Sequence, residues 1–411
     1  MKSDLDSIME ANGLDGLMIT GPAQHNPMMV YLTGTVHVTQ ADLIKKKGAD
    51  PVLFHISMER GEAEKTGLRL IDYSQFSMRN ILKESNGDNV KASGILYQKM
   101  LESVGIKSGR IALYGQVEIG KKFATFTSLQ NSNPDIEIVG YRENDTMLAA
   151  MVSKDGQEIS RIRKMGDITT KIVGKVADYL SSHSAHNNVL INPNGEPITI
   201  GNVKRLIDIW LLEEGAENPE GTIFSSGKDS GIPHSSGNPT EVLHLGQTIV
   251  FDIFPCEVGG GYYYDFTRTW CLGYAPDDVL AIYENVNNVY QQVVSNLKSN
   301  HLYGESQSLA CDLFERQGHP TIRNSPNTKD GYVHTIGHGV GLHVHEWPVC
   351  GNSHVKGDSL LPGSVFTIEP GLYYPNRNLG VRIEDTYFVS PAGHIEVFAE
   401  YSMDLIIPIK K

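Results

Sequence analysis

At 411 residues the chain is longer than one ordinary hydrophobic core can organise, and the usual domain size predicts two or three units. Its 40% hydrophobic content predicts a globular fold, while a formal charge of −13 without any compensating Lys/Arg block argues against nucleic acid or an anionic membrane as partner. Cys256, Cys271, Cys311 and Cys350 have no CxxC spacing, so neither a zinc ribbon nor a redox pair is indicated, and scattered thiols fit a reducing cytoplasm. Met1 to Gly13 is acidic and amphipathic, without the basic flank and apolar run of a signal peptide, and nowhere do about 18 apolar residues run uninterrupted. The expectation is a soluble cytoplasmic protein.

Ser3 followed by Asp6 reads as a helix start, with Leu5, Ile8 and Met9 as the apolar face and Gly13 as the stop. Short apolar runs at Leu17 to Thr20, Pro51 to Ile56, Ile111 to Tyr114 and Ile136 to Val139 alternate with helical or polar stretches, which predicts an α/β domain over residues 1–145. Residues 146–156, within a polar stretch from Gly140 to Gly156, read as a linker to a second domain over 157–411. Ile159, Ile162, Met165, Ile168, Ile172, Val176 and Leu180 then recur at three and four residues and predict a long amphipathic helix. A second such helix follows Pro276, with Val279, Ile282, Tyr283, Val286, Val289, Tyr290, Val293 and Leu297 on one face. Helices thus precede both halves of a strand-rich α+β region, which hints at a duplicated plan.

The chemistry concentrates in the last third, where Asp252, Asp265, His338, Glu369 and Glu384 are embedded in Gly, Pro and β-rich sequence. Four carboxylates repel one another when empty and balance two divalent ions when filled, so this set can hold two metals. Asp252 ends the apolar run Thr248 to Phe251, and Asp265 stands thirteen positions on, past Gly259, Gly260 and Gly261. Together they predict a β-hairpin with the two aspartates directly opposed on one face. Either alone reads as a turn residue, but opposed carboxylates in a sheet interior are costly without a cation between them.

From His334 to His345 lie four histidines in twelve positions. His338, flanked by Gly337 and Gly339, is the expected ligand, since those glycines allow close approach. His334 and His345 read as substrate-facing groups or as packed, hydrogen-bonded histidines, and His343 as structural or solvated. No His-Glu-x-x-His helix is formed by this segment. Glu369 closes an apolar strand before Pro370-Gly371, and Glu384 repeats the theme in Val381 to Thr386. A lone Glu384 would face outward, and with the other ligands present inward is favoured.

Taken in order, Asp, Asp, Gly-His-Gly, Ile-Glu-Pro-Gly and Arg-Ile-Glu-Asp resemble the pita-bread metallopeptidases, the family of Xaa-Pro aminopeptidase, prolidase and methionine aminopeptidase. Gly13 to Ile19 and Tyr31-Leu32-Thr33-Gly34 resemble the creatinase-type N-terminal domain, which methionine aminopeptidases generally lack. The resemblance implies a C-terminal pita-bread fold of duplicated helix and antiparallel-sheet halves, a homodimer, and two divalent ions, manganese first with cobalt, zinc or iron admissible. It implies Asp252 chelating one metal, Asp265 and Glu384 bridging both, and His338 with Glu369 completing the other. All five positions are filled, unlike in creatinase, an amidinohydrolase without the metal centre, or in non-catalytic binding relatives that have lost ligands. The aspartates of the family are usually eleven apart, so this hairpin is two residues longer around Val258 to Gly261, which leaves the local rim of the site or a subunit contact open.

The resemblance further implies hydrolysis of the bond preceding proline by a hydroxide held between the metals, with His345 donating to the oxyanion and Glu369 passing the proton to the leaving nitrogen. His234, in Ile232-Pro233-His234-Ser235, His334 and Arg382 would border the proline pocket. Arg382 would meet a terminal carboxylate with bidentate geometry, or else pair with neighbouring acids.

Overall fold

The computed structural model describes residues 4–140, 145–351 and 358–410, which divide into two compact units. The first comprises Met1–Met151 together with Val258–Gly261, and the second Val152–Glu257 with Tyr262–Lys411. The loop between Asp252 and Asp265 thus contributes its tip to the first unit, where the His25 amide donates to the Gly259 carbonyl at 2.9 Å.

The first unit is built on a six-stranded sheet, and the four apolar runs fall on strands Gly16–Gly21, Val52–His55, Gly109–Gly115 and Ile136–Val139. Ala41–Lys46 and Arg69–Asp72 supply the other two strands, which their charged residues concealed. Lys45 is buried because its ammonium pairs with Asp6 at 2.5 Å and also donates to the Ala49 carbonyl at 2.8 Å. The sheet is mixed: Ala41–Lys46 runs antiparallel to both of its neighbours. The first helix, Leu5–Ala11, buries Leu5, Ile8 and Met9 as expected, while Ser3 lies outside the described residues. Thr146–Met151 is a correction to the irregular stretch expected there, for it forms a helix with Thr146, Met147, Ala150 and Met151 buried.

In the second unit the two amphipathic helices are Gly156–Ser181, started by an Asp155/Glu158 capping box, and Asp277–Asn296, with Asp277 and Asp278 in its first turn. A shorter helix follows in each half, Ile200–Glu213 after the small ladder Ser184–His186 and Val189–Ile191, and Tyr303–Arg316 directly, and further strands come next. One sheet orders Thr222–Ser226, Thr248–Ile253, Phe266–Leu272 and Ile406–Ile407; another orders Val365–Ile368, Asp385–Val389 and Ile395–Val397. A bridge between Thr267 and Glu384 joins the two halves where the candidate ligands lie. Among the described residues no helix is long and apolar enough to cross a membrane.

Candidate metal centre

Asp252 sits on the fully buried strand Thr248–Ile253, and its cross-strand partner is Thr267. The expected direct opposition of the aspartates is therefore corrected: Asp265 precedes the partner strand, two residues from the position facing Asp252. An offset of two keeps both on one face as diagonal neighbours. The hairpin itself forms, Cys256 bridging Tyr263 in the same register as the strands while Cys256–Glu257 also pairs to Ala216–Glu217, but its tip is centred between Gly259 and Gly260, one position later than direct opposition of the aspartates requires.

The histidine segment reaches the same place through backbone contact. The Thr367 amide donates to the His338 carbonyl at 2.9 Å, and the Glu369 amide to the Ile336 carbonyl at 2.8 Å. A side chain on Gly337 would meet the Thr367 carbonyl at 2.2 Å, and one on Gly339 would meet the Trp347 backbone at 2.3 Å, so glycine is what lets these chains lie together. His338 Nδ1 lies 3.1 Å from the Gly339 carbonyl, an acceptor, so that nitrogen carries the proton and Nε2 presents its lone pair. That lone pair faces Asp265 Oδ2 at 3.4 Å and Glu369 Oε1 at 3.5 Å.

Asp252 Oδ1, Asp265 Oδ1 and Glu384 Oε1 are buried with no hydrogen-bond partner, and Asp265, His338 and Glu384 offer ligand atoms within 4.8 Å of one another. An imidazole lone pair and three orphaned carboxylate oxygens aimed together fit a cation and little else. Burial, then Asp252, holds Asp265 well above the usual carboxylate range; burial, then Asp265, does the same to Glu384. Burial followed by the charge of Glu384 pushes Glu369 up to about 8. Carboxyl groups that resist ionisation because of burial and then of one another are the electrostatic signature expected of a divalent-ion site.

All nine sequence-predicted site residues line one cavity of about 620 Å³: the five candidate ligands with His234, His334, His345 and Arg382. The His345 and His338 ring centroids are 4.1 Å apart. Burial lowers His334 to about 3, and burial with His338 lowers His345 to about 4, so both are neutral imidazoles near pH 7. His343 stands apart, its amide donating to Glu346 Oε2 at 3.3 Å. Glu346 is buried against Lys154 at 2.5 Å and ties the loop through paired backbone bonds with Gly339.

For Arg382 the geometry matches the pairing alternative. Its guanidinium donates to Asp252 Oδ2 at 2.6 Å, the Tyr373 hydroxyl at 2.7 Å, the Pro233 carbonyl at 3.2 Å and Thr267 Oγ1 at 3.3 Å. Four of its five N–H groups are engaged, so bidentate capture of a substrate carboxylate would require breaking existing bonds. Tyr373 was missed by sequence reasoning. It accepts from Arg382 and lies 2.8 Å from His334 Nε2, while His334 Nδ1 donates to the Thr335 carbonyl at 2.7 Å, so the hydroxyl proton points to Nε2. Thr267, also missed, donates its hydroxyl to Glu384 Oε2 at 2.6 Å. Their nearness in sequence to Glu369 and Asp265 was the available signal.

Residues 160–391 match metallopeptidase family M24. The Xaa-Pro dipeptidase of Pyrococcus furiosus is 26% identical over 399 residues, spanning 96% of this chain and 97% of that protein. A solved prolidase from Pyrococcus horikoshii OT3 superposes with a TM-score of 0.73 at 22% identity, over 98% of this chain and 99% of that one. An X-Pro aminopeptidase structure from Thermotoga maritima MSB8 gives 0.73 at 20% identity over 100% and 99%.

Proposed function

The chain belongs to metallopeptidase family M24, with a pita-bread fold and a creatinase-like N-terminal domain, and on that footing we propose that it hydrolyses the peptide bond preceding proline, as an Xaa-Pro dipeptidase or aminopeptidase. The observation that carries this reading is the convergence of Asp252, Asp265, His338, Glu369 and Glu384 on one cavity, three of them with an orphaned oxygen. Two divalent ions held by these residues, manganese being the first choice and cobalt, zinc or iron also compatible with the donors, would supply a nucleophilic water near neutral pH and polarise the scissile carbonyl.

The chain's own groups do the rest. Neutral His345, on the cavity wall, donates to the carbonyl oxygen as negative charge builds there. Glu369 accepts a proton at its carboxylate and passes it to the leaving proline nitrogen, which must be protonated to depart. His234 and His334 border the proline ring. Arg382 holds Asp252 and Tyr373 in place, and Tyr373 in turn fixes the His334 ring. A homodimer working in the cytoplasm completes the reading.

An activity series with an Xaa-Pro dipeptide, an Xaa-Pro-containing tripeptide and longer peptides, each with excess manganese and with chelator, tests it. Chelator-sensitive cleavage before proline is expected, and strict loss beyond the dipeptide would indicate a dipeptidase. Absence of any Xaa-Pro cleavage with each of the four metals would sink the proposal.

A further inference from the structure

The cavity contains a second cation that the reaction above does not use. Lys204, on the helix Ile200–Glu213, lines it together with Glu220, Thr222 and Ile223, and its ammonium donates to the Ser236 carbonyl at 3.0 Å. Arg382 grips the Pro233 carbonyl of the same loop, so the two cations hold that loop three residues apart with His234 between them. They differ in what remains available. Arg382 has its ion pair with Asp252, whereas among the described residues no carboxylate forms an ion pair with Lys204, and two of its three N–H groups stay unengaged. Asp208, one turn along the helix, raises Lys204 only in part, and burial leaves the ammonium below the usual lysine value.

The register places this ammonium relative to the chemistry. The Ser236 carbonyl also accepts from the Phe224 amide at 3.5 Å, and Phe224 adjoins Ile223, whose cross-strand partner is Asp252. Two chain-to-chain spacings, about 10 Å, therefore separate the Ser236 carbonyl from the Asp252 backbone. That span is on the scale of one residue with an extended side chain. If the Arg382 and His334 end takes proline, the Lys204 end takes the side chain before it.

We propose that Lys204 is a specificity residue for the position preceding proline, its ammonium receiving a side-chain carboxylate there, so that Glu-Pro and Asp-Pro substrates are favoured. This rests on the Xaa-Pro reading of the same site. Glu220 lines the same cavity but is exposed, where solvent screens its charge, whereas Lys204 is part-buried and its ammonium is held on the Ser236 carbonyl, so the positioned ammonium sets the sign.

Glu-Pro and Gln-Pro are nearly isosteric and differ in one charge, so the ratio of their kcat/KM values on the manganese-loaded full chain reads the interaction directly. The wild type is expected to favour Glu-Pro about tenfold, mainly through KM. Lys204→Met should bring the ratio close to one, Lys204→Arg should keep it well above one, and Lys204→Glu should turn preference toward Lys-Pro. Equal rates for the two substrates in the wild type, a result that needs no variant to fold, would overturn the assignment, as would an unchanged ratio in Lys204→Met. Cleavage of both dipeptides without discrimination removes the Lys204 assignment alone, whereas cleavage of neither removes the Xaa-Pro reading and this inference with it.

Discussion

Glu384 and Asp385 are consecutive residues, 2% and 3% exposed, and they differ in what their oxygens meet. Asp385 Oδ1 accepts from Arg268 at 2.9 Å, and its other oxygen accepts from the Tyr290 hydroxyl. Arg268 is itself anchored, donating to the carbonyls of Glu384 at 2.8 Å and Ser402 at 3.0 Å. Glu384 has the Thr267 hydroxyl on one oxygen, no hydrogen-bond partner on the other, and two buried aspartates nearby. Burial raises both groups, but at Asp385 the next-largest influence is the opposing charge of Arg268, whereas at Glu384 the charges of Asp265 and Asp252 add to the rise ahead of the opposing charge of Arg382. The contrast separates a carboxylate that holds the fold from one suited to hold a metal: both are expensive to bury, and only the first is bonded directly to a cation of the chain.

Charge-removing variants test that contrast most severely. Glu384→Gln is expected to lower kcat/KM by at least about 10³-fold and to lower bound metal. In chelator the same variant should melt at a higher temperature than the wild type, because a mutually repelling group has gone. Asp385→Asn should do the reverse, costing about 3 kcal/mol of stability by leaving Arg268 buried beside a neutral side chain. Thermal melts in chelator beside metal analysis check both, and destabilisation of similar size in the two variants would erase the distinction.

The histidines carry the same contrast on a smaller scale. His345 faces the cavity, while His343 lies against the buried Lys154–Glu346 pair outside it. His345→Ala is expected to reduce kcat about 10²-fold with KM changed little, and His343→Ala to stay within about fivefold of the wild type. Initial rates across substrate concentration separate the cases; comparable losses of kcat in both would show that the loop as a whole, and not the facing imidazole, matters.

The ligand set was legible because each member sits in a short apolar or glycine-flanked run, where an unpaired charge is conspicuous. Asp252 after Ile249-Val250-Phe251 and Glu369 after Phe366-Thr367-Ile368 both fall where a strand delivers them to the site. What stayed hidden depends on contacts distant in sequence. The register of Asp252 against Thr267 could not be read because Gly259, Gly260 and Gly261 offer several places to centre the hairpin tip, and the tip that settles it belongs to the other unit. The Arg382, Tyr373 and His334 relay joins residues that no local pattern links, and Lys204 comes from a helix where a lysine ordinarily reads as solvated. In the first unit the strand Ala41–Lys46 was masked because its lysine is made tolerable by Asp6, a partner 39 positions away.

The gentlest probe is the pH dependence of the metal-free protein. Glu369 titrates at about 8 when folded against 4.5 when unfolded, so its contribution to stability is full below 4.5, shrinks as pH rises, and is lost above about 8. Asp265 and Glu384 shift in the same direction. His334 and His345 act oppositely: lowered to about 3 and about 4 from 6.5, they remain neutral in the fold and cost stability as pH falls below 6.5. The window that isolates the carboxylates is therefore 6.5 to 8, above the histidines and below the loss of the Glu369 proton. In chelator the melting temperature should fall by a few degrees across it, and excess manganese should remove or reverse the slope, since metal binding favours the ionised ligands. A flat or rising melting temperature in chelator would mean that Glu369 finds its counter-charge inside the chain, as Asp385 does, and the contrast between ligand and structural carboxylate would fail at that residue.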